Sequence, residues 1–396
     1  MKGKPAVKSK PAVIRGHVIA LNPTNKQATH FAKACGIARL SYNWALAEWQ
    51  RQYAVDKAYR DNCTACGLEV DDNKLNKPSQ GKLRKQLNAI KRTEFPFMLE
   101  VSKCAPQLAI MQLGDAYKRF FKGESKYPVF RRKGINDRFN LSNDQFKVKN
   151  KKISVPNLGW VKMREALRFN GKILSAKIFN RGGKWFASIA VELADIIPFK
   201  VKTGKSVGVD LGITHLATLS NGIKVEAAKP LKAKLARLKR LGRSLSRKQK
   251  GSCNRTKAKT KLGRLHLQIS NIRQDSLHQL TTTLVRDYDV IAIENLNIKG
   301  MLKNRKLSRV ISDLGFYEFK RQLVYKANQY GKTVKELDRW FPSSKTCSGC
   351  GFIIDKASLT LAVRQWQCPS CRQLNDRDIN ASINILRHAD KVLTVN

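Results

Sequence analysis

Apolar positions along the chain follow two periods, and the change of period marks its parts. Residues 13–21 alternate in part, at Val13, Ile14, His17, Ile19 and Leu21, and read as a strand that Asn22-Pro23 ends. Thr24 then has the place of a helix N-cap. Phe31, Cys35, Ala38, Tyr42, Ala45, Trp49 and Tyr53 follow at steps of three and four, which puts them on one helical face as the core stripe of a bundle. Residues 61–81 are polar and without period, so a break is expected there. Helical pattern returns over 82–122, interrupted near Pro96 and Pro106 and ended by Gly123.

Short extended runs punctuated by Gly, Pro and Asn come next. Residues 151–155, 172–179 and 184–193 read as strands, and Asn180-Arg181-Gly182-Gly183 is a strong hairpin turn. With 13–21 they could close a small barrel whose helices are an insertion between its first and second strands. A second α/β region opens at Val207. Val207-Gly208-Val209-Asp210 and Val290-Ile291-Ala292-Ile293-Glu294 read as short buried strands, each ending in an acid. Between them lie a strand at 216–219, a turn at Asn221-Gly222 and a helical hairpin that runs on to Arg286. A basic loop at 299–309, a helix at 312–330, a strand at 333–337 and a closing helix entered at 375–381 complete the pattern.

Length and composition set the outer limits. The 396 residues leave room for two or three domains, and 42% hydrophobic residues suffice for a sizeable core. The formal charge of +48 opposes compaction unless a polyanion binds, so nucleic acid is the expected partner. A ribosomal or histone-like protein would be equally basic, so charge names a partner and no activity. The charge is concentrated. Residues 229–264 carry fifteen Lys or Arg and no acid above an apolar stripe of Leu231, Leu235, Leu238 and Leu245. Arg237, Lys239, Arg240, Arg243, Arg247 and Lys248 in that hairpin, and Arg131, Arg132 and Lys133 in a basic turn, are the expected contacts to nucleic-acid backbone. Residues 1–12 are basic and lack the apolar core of a signal peptide, and no run is long enough for a membrane span. A cytoplasmic, nucleoid-associated protein is expected, with no membrane partner.

Two sets of residues carry chemistry. Asp210, Glu294 and an acid of Asn375-Asp376-Arg377-Asp378 stand where apolar strands end or a helix begins. Buried acids are costly unless a cation compensates them. Two Mg²⁺ ions roughly 4 Å apart, on hard oxygen ligands, would do so and could clamp a phosphodiester. Cys347-x-x-Cys350, seventeen residues and Cys368-x-x-Cys371 form the second set, with the spacing of a structural zinc site. All four positions are thiolates, which leaves none open for water; Gly349 and Gly351 would permit the first knuckle turn and Pro369 stiffen the second. Nine cysteines in all suit a reducing compartment. Cys63-x-x-Cys66 offers only two ligands, which Cys35 and Cys104 could complete to a second metal site.

The motifs GVDLGI around Asp210, IAIENLNIKGM around Glu294 and DRDINASINI around Asp378, with the cysteine cluster before the third, resemble the split RuvC motifs of TnpB, a family of transposon-encoded, RNA-guided nucleases related to type V CRISPR effectors. The resemblance covers essentially the whole chain. It implies an α+β multidomain protein: an N-terminal β-barrel, or wedge, at 1–23 and 124–200; a helical recognition insertion at 24–123; a RuvC-like, RNase H-like nuclease domain at 201–345 and 373–396; and an inserted zinc ribbon at 346–372. It selects Asp378 over Asp376 as the third metal ligand. It implies a guide RNA, a double-stranded DNA target, one protein monomer per RNA, and cleavage beside a short target-adjacent motif read by Lys103, Gln107, Ser142 and Asn143. The family most often has His where this chain has Asn375. The alternatives are a nuclease-inactive RNA-guided DNA-binding protein, which would have lost an acid, and a non-catalytic basic nucleic-acid-binding protein. A guide-independent transposase or resolvase would lack the zinc ribbon before the third acid.

Overall fold

The computed structural model describes residues 13–193, 202–355, 359 and 363–389, and the backbone of 394–395. The chain divides into two compact units, 1–195 and 196–396. The expected wedge boundary near residue 200 and the basic segment 1–12 lie outside the described residues.

The first unit joins helices to an antiparallel sheet. Its elements are β1 (Val13–Asn22), α1 (Asn25–Ala65), α2 (Gln80–Ile90), α3 (Cys104–Phe121), β2 (Arg138–Ser142), β3 (Val148–Lys149), β4 (Lys152–Val155), β5 (Gly159–Met163), β6 (Lys172–Arg181) and β7 (Lys184–Leu193). The sheet order is β2-β6-β7-β1-β5-β4-β3. β1 is shared: Val13 to Ala20 pair with β7, while Leu21 and Asn22 pair with β5. Among the described residues no pairing joins β2 to β3. The helices bury Phe31, Leu46, Leu83 and Leu113 in one core with Ile19, Leu141, Ile153, Met163 and Ile178 of the sheet.

Local chemistry explains where these elements depart from the sequence pattern. Thr24 caps α1 through a reciprocal box with Gln27. The helix does not break at 61 but runs to Ala65, and Gly67 at φ 64° supplies the left-handed residue that ends it. Tyr53 leaves the core stripe and is 55% exposed. Asp56 is buried instead, and its carboxylate accepts the Asn76 and Lys77 N–H groups at 2.7 and 2.8 Å, which folds the polar segment back along the helix. Pro106 does not interrupt α3, because it sits in the first turn, where an N–H has no helical acceptor to lose. The strands β2, β3 and β5 are too short for their alternation to stand out without their partners.

The second unit comprises β8 (Ser206–Asp210), β9 (His215–Leu219), β10 (Lys224–Glu226), α4 (Pro230–Ser246), α5 (Cys253–Asp287), β11 (Val290–Glu294), α6 (Ile298–Lys303), α7 (Ser308–Leu314), α8 (Phe316–Tyr330), β12 (Thr333–Leu337), β13 (Gln365–Gln367), β14 (Leu374–Asp376), α9 (Arg377–His388) and β15 (Thr394–Val395). The main sheet has the order β10-β9-β8-β11-β12-β15, with β8, β11 and β12 parallel and the outer pairings antiparallel. Both faces are covered, which is why β8 and β11 read as unbroken apolar runs. Val207, Val209, Ile291 and Ile293 share a core with Leu284 of α5 and Phe319 and Leu323 of α8. The opposite face carries small residues. Ala292 packs with Ile385 and Ala389, and a Cβ on Gly208 would lie 2.0 Å from the Ser382 carbonyl and 2.7 Å from the Leu386 nitrogen. Those two small positions let α9 lie directly on β8 and β11.

The basic hairpin is α4 followed by α5. Pro230 opens α4, and buried Asp313 of α7 accepts the Leu231 and Lys232 N–H groups at 3.1 and 3.0 Å while pairing with Arg273 at 2.9 Å.

Candidate active site

Asp210 ends β8 and Glu294 ends β11. These strands are parallel neighbours with Val209 opposite Ile293, so both acids leave the same edge of the sheet side by side. Ligand sites in α/β sheets form at such carboxyl ends, where the chain leaves a central strand in opposite directions. Here β9 lies on one side of β8 and β11 on the other. Asp378 is the second residue of α9, the helix seated on Gly208 and Ala292. All three acids are partly accessible, while the residues before the two strand acids are buried.

The electrostatics show convergence. Desolvation, then the charges of Glu294 and Asp378, push the Asp210 carboxyl well above the usual carboxylate range, against the opposing pull of Arg377 and Arg364. Desolvation also raises Glu294, and the Ser343 hydroxyl, which donates to its Oε1, partly offsets this. Arg364 Nη1 lies 3.4 Å from Asp378 Oδ1. Asp376 has a different task. It is the N-cap of α9, accepting the Asp378 and Ile379 N–H groups at 3.1 Å each, and it pairs with Lys224 at 2.7 Å. Burial opposes its ionisation, but Lys224 and those N–H groups outweigh burial and lower its pKa. A cavity of about 160 Å³ opens beside Glu294, walled by Asn295, Asn297, Asp338, Arg339 and Phe341.

The cysteines form a tighter cluster. The sulfurs of Cys347, Cys350, Cys368 and Cys371 all lie within 4.8 Å of one another, with Cys347–Cys371 and Cys350–Cys368 at 3.6 Å. Tetrahedral zinc with bonds of about 2.3 Å needs sulfurs about 3.8 Å apart, so this donor set fits Zn²⁺. Burial disfavours the Cys347 thiolate, but the N–H groups of Cys350 and Gly349 and the Asn375 amide outweigh it and bring its pKa to about 6. At Cys371 the Gln373 N–H lowers the pKa, but the three neighbouring thiols prevail and push it up to about 12. A cation relieves such crowding. The knuckles turn at Gly351 (φ 81°) and at Arg372 (φ 61°), so the left-handed position of the second is not a glycine, and Gly349 is not the residue that needs one.

Among the described residues these four are the one group of three or more Cys, His, Asp or Glu side chains close enough to hold a metal ion. Cys63 and Cys66 are not joined by Cys35 or Cys104 in a second site. The three acids do not close to that degree either. Carboxylates repel at short range, and the outer two are held by Ser343 and Arg364. Three hard carboxylates, one with its pKa raised by burial and then by the charges of the other two, are nevertheless a donor set that suits Mg²⁺.

The other expected residues fall into two groups. The start of α3 and the end of β2 lie side by side: Cys104 Sγ is 3.1 Å from Ser142 Oγ, and the Ser142 hydroxyl donates to Asp144. This brings Lys103 and Asn143, both exposed, near the half-buried Gln107 and Ser142. Of the basic residues, Arg132, Lys133, Arg237, Lys239, Arg240, Arg243 and Arg247 are exposed and Lys248 is half-buried. Arg131 is engaged internally. Its guanidinium lies 3.6 Å from the Tyr42 ring centroid and donates to Gln112, its main chain is bracketed by Asn43, and burial lowers its pKa to about 10.

Ser343, which lies in no motif, and Asn375, Asn380 and Asn384, which lie in the stretch of the third acid without a role assigned to them, complete the site. Ser343, Asn375, Asn380 and Asn384 are buried polar groups around the acids and the cysteines, and Asn375 Nδ2 lies 3.7 Å from Cys347 Sγ. The asparagine pair 380/384, four residues apart and so on one face of the helix, was the available signal.

A family model described as "Probable transposase" matches residues 188–305, and one described as "Cas12f1-like, TNB domain" matches 316–385. A "Putative RNA-guided DNA endonuclease" of Streptomyces pristinaespiralis is 35% identical over 92% of this chain and 86% of its own. "Putative RNA-guided DNA endonuclease InsQ" of Escherichia coli (strain K12) is 30% identical over 94% of this chain and 92% of its own. The "TnpB-like protein L79" of Acanthamoeba polyphaga mimivirus is 29% identical over 47% of this chain and 38% of its own. The chain belongs to the TnpB family. A third model, described as "Helix-turn-helix domain", matches 13–58, but in this TnpB-family chain those residues form β1 and most of the single helix α1. Solved complexes of Cas12f1 with sgRNA and target DNA, and of CasPhi-2 (Cas12j) with crRNA, align over 94% and 95% of the chain and 99% and 98% of theirs. At 14% and 10% identity and TM-scores of 0.35 and 0.40 they add nothing to the fold described above. No helix among the described residues is long and apolar enough to cross a membrane.

Proposed function

We propose that the chain is an RNA-guided DNA endonuclease whose second unit hydrolyses a phosphodiester at Asp210, Glu294 and Asp378. The observation that carries this reading is geometric: Asp210 and Glu294 end paired parallel strands at the same edge of the sheet, and Asp378 opens the helix seated on those strands, in a chain of net charge +48. The sheet, with Asp210 on a central strand, Glu294 on its parallel neighbour and Asp378 on a helix across one face, is read as a RuvC-like, RNase H-like core. Two Mg²⁺ ions held by these carboxylates would supply Lewis acidity toward the phosphodiester and its attacking water. The chain's own residues do the rest. β8 and β11 keep two carboxylates abreast, α9 brings the third, and Arg364 and Arg377 temper their mutual repulsion. The four-cysteine cluster is read as one structural Zn²⁺ site in a ribbon at 346–372.

We read 1–23 and 124–200 as the wedge, of which 13–23 and 124–193 are described, and 24–123 as the recognition insertion. Lys103, Gln107, Ser142 and Asn143 would read a short motif in duplex DNA, since Lys and Gln can bond base edges. The guide RNA is the expected match for a charge too large for a short target duplex, and the exposed cations of α4 would grip its backbone. The test is co-expression with the flanking locus, recovery of one defined RNA, and cleavage of plasmids with matched and mismatched targets. Cutting should require Mg²⁺ and follow the RNA when its guide segment is replaced. Cutting that ignores the RNA sequence, or proceeds equally well without RNA, would sink the guided reading.

A further inference from the structure

The helix that delivers Asp378 has a second working face. Asp378, Ser382 and Leu386 stand on the side that meets the sheet, where Gly208 receives the helix. Asn380, Asn384, Arg387 and His388 recur at helical spacing on another side, and each engages the first zinc knuckle or the loop that joins β12 to it. Asn380 Nδ2 donates to the Thr346 carbonyl at 2.7 Å, and its Oδ1 accepts the Ser348 N–H at 2.7 Å. Asn384 Nδ2 donates to the carbonyls of Ser343 at 2.8 Å and Thr346 at 2.6 Å. Arg387 donates to the Ser348 carbonyl, and the His388 ring stacks on Phe341 with centroids 3.8 Å apart. Asn380, Asn384, Ser343 and Ser348 are all 5% exposed or less.

This loop carries two consequences within five residues. Ser343 directs its hydroxyl to Glu294 Oε1, and Cys347 begins the metal cluster. A carboxamide offers a donor and an acceptor at fixed separation, so Asn380 can hold one carbonyl and one N–H of the same turn at once. The loop is thereby tied at its Ser343 end and at its Cys347 end to the helix whose first turn holds Asp378.

We propose that Ser343 is a positioning residue for Glu294, and that Asn384 and Asn380 hold Ser343 in register with Asp378, so that one clamp on α9 sets the geometry of both acids and of the first zinc knuckle. The inference rests on the nuclease reading for its chemistry. Its function is orientation: a glutamate at a strand end is otherwise free to rotate, and a metal pair needs its oxygens at defined places. The clamp also explains why a structural metal site stands immediately before the third acid. The ribbon fixes the loop from one end while α9 fixes it along its length.

The test uses the full chain in complex with its RNA. Ser343→Ala removes one hydroxyl from the loop and leaves its main-chain bonds to Asn384 in place. It should raise the Mg²⁺ concentration for half-maximal cleavage about 10- to 100-fold, the range for partners that orient metal ligands. Zinc content and target-DNA affinity should not change, and Ser343→Thr should restore most of the loss. Mn²⁺ binding followed by electron paramagnetic resonance gives a readout independent of cutting, with the Asp210→Ala complex as the blank for RNA-bound ions. The Asp210-dependent signal should weaken by the same factor. Asn384→Ala should shift metal dependence in the same direction, and the double variant should fall no further than the worse single, because both act through one path. If Asn384→Ala does not fold, Ser343→Ala alone decides. Unchanged metal dependence in Ser343→Ala, or shifts that multiply in the double variant, would overturn the proposal. If the wild-type complex fails to cut but shows the Asp210-dependent Mn²⁺ signal, the nuclease reading falls and that signal in Ser343→Ala still decides the clamp. No such signal in the wild type overturns both.

Discussion

The second unit holds two anionic clusters, and they are built in opposite ways. The four cysteines come from two short knuckles whose turns are local, and their sulfurs are already at zinc-binding separations. The three acids come from β8, β11 and α9, and Asp378 lies 168 residues after Asp210 in the chain. They converge on one edge of the sheet without closing into a cage. A set of soft thiolates that is complete in itself binds its ion to hold a fold. An open set of carboxylates at the mouth of a sheet leaves coordination sites for substrate oxygens and water. On the function proposed above, that difference gives structure to one cluster and reaction to the other.

Four experiments break or sharpen that contrast. The largest effect belongs to the acids. Asp210→Ala, Glu294→Ala and Asp378→Ala should each reduce Mg²⁺-dependent cleavage by about 10³-fold or more, because the three act as one unit. Target binding and zinc content should stay at wild-type values in a mobility-shift assay and a metal analysis. A variant that keeps full cutting removes its residue from the site.

Cys368→Ser should act through the fold instead. Zinc binding contributes on the order of 10 kcal/mol to small four-ligand sites, so the ribbon should lose its metal and its protection from hydrogen exchange across 341–355 and 363–388. Activity should fall as a consequence of that loosening. A variant that loses zinc and keeps wild-type exchange would show that the ribbon does not depend on its ion.

Gly208→Ala tests the joint between sheet and helix. The added methyl meets the Ser382 carbonyl and the Leu386 nitrogen, which are backbone atoms and cannot swing aside. Overpacking of this kind costs about 1–3 kcal/mol. Cleavage should fall with it, because α9 must lift and carry Asp378 away, whereas the zinc content should hold. Unchanged thermal stability would contradict the close seating of α9.

The smallest effect is a drift with pH. The Asp210 and Glu294 pKa values are raised in the folded chain, so the folded state binds more protons than the unfolded one once pH exceeds the usual carboxylate value of about 4. The contribution of these two acids to stability in Mg²⁺-free buffer should therefore fall as pH rises from about 4 through the raised values. Asp210→Asn should flatten the slope, and so should added Mg²⁺, which favours the charged forms. Thermal melts of the wild type and Asp210→Asn across that range measure it as their difference, because His17, His30 and His278, lowered mainly by burial, slope the other way in both proteins alike; a difference of the opposite sign would show that the acids are compensated within the protein.

Much of this molecule is written in its sequence. The strands β8 and β11 follow from continuous apolar runs, and Asp210 and Glu294 from the place where those runs stop. The cysteine spacing names a four-thiolate site, because a knuckle is a local turn and four ligands in two pairs leave little choice. The start of α1 follows from Thr24 and Gln27, and the basic hairpin from an apolar stripe under uninterrupted cations. Each of these signals is short in range.

What the fold decided is long in range. Whether Cys63 and Cys66 find partners depends on where Cys35 and Cys104 lie in space, and they lie elsewhere. Arg131 reads as one more surface cation until Tyr42, Asn43 and Gln112 enclose it. Asp376 and Asp378 are both acids at a helix start; the resemblance sets them apart, and the geometry shows what holds Asp376, the N–H groups of Asp378 and Ile379 and the Lys224 ammonium. Nothing in the residues around Ser343 announces Glu294, 49 positions earlier. Spacing along a chain encodes period and turn, because these depend on neighbours a few residues apart. A hydrogen bond between a serine and a distant glutamate exists only once β11, α9 and the loop between them have been packed against one another.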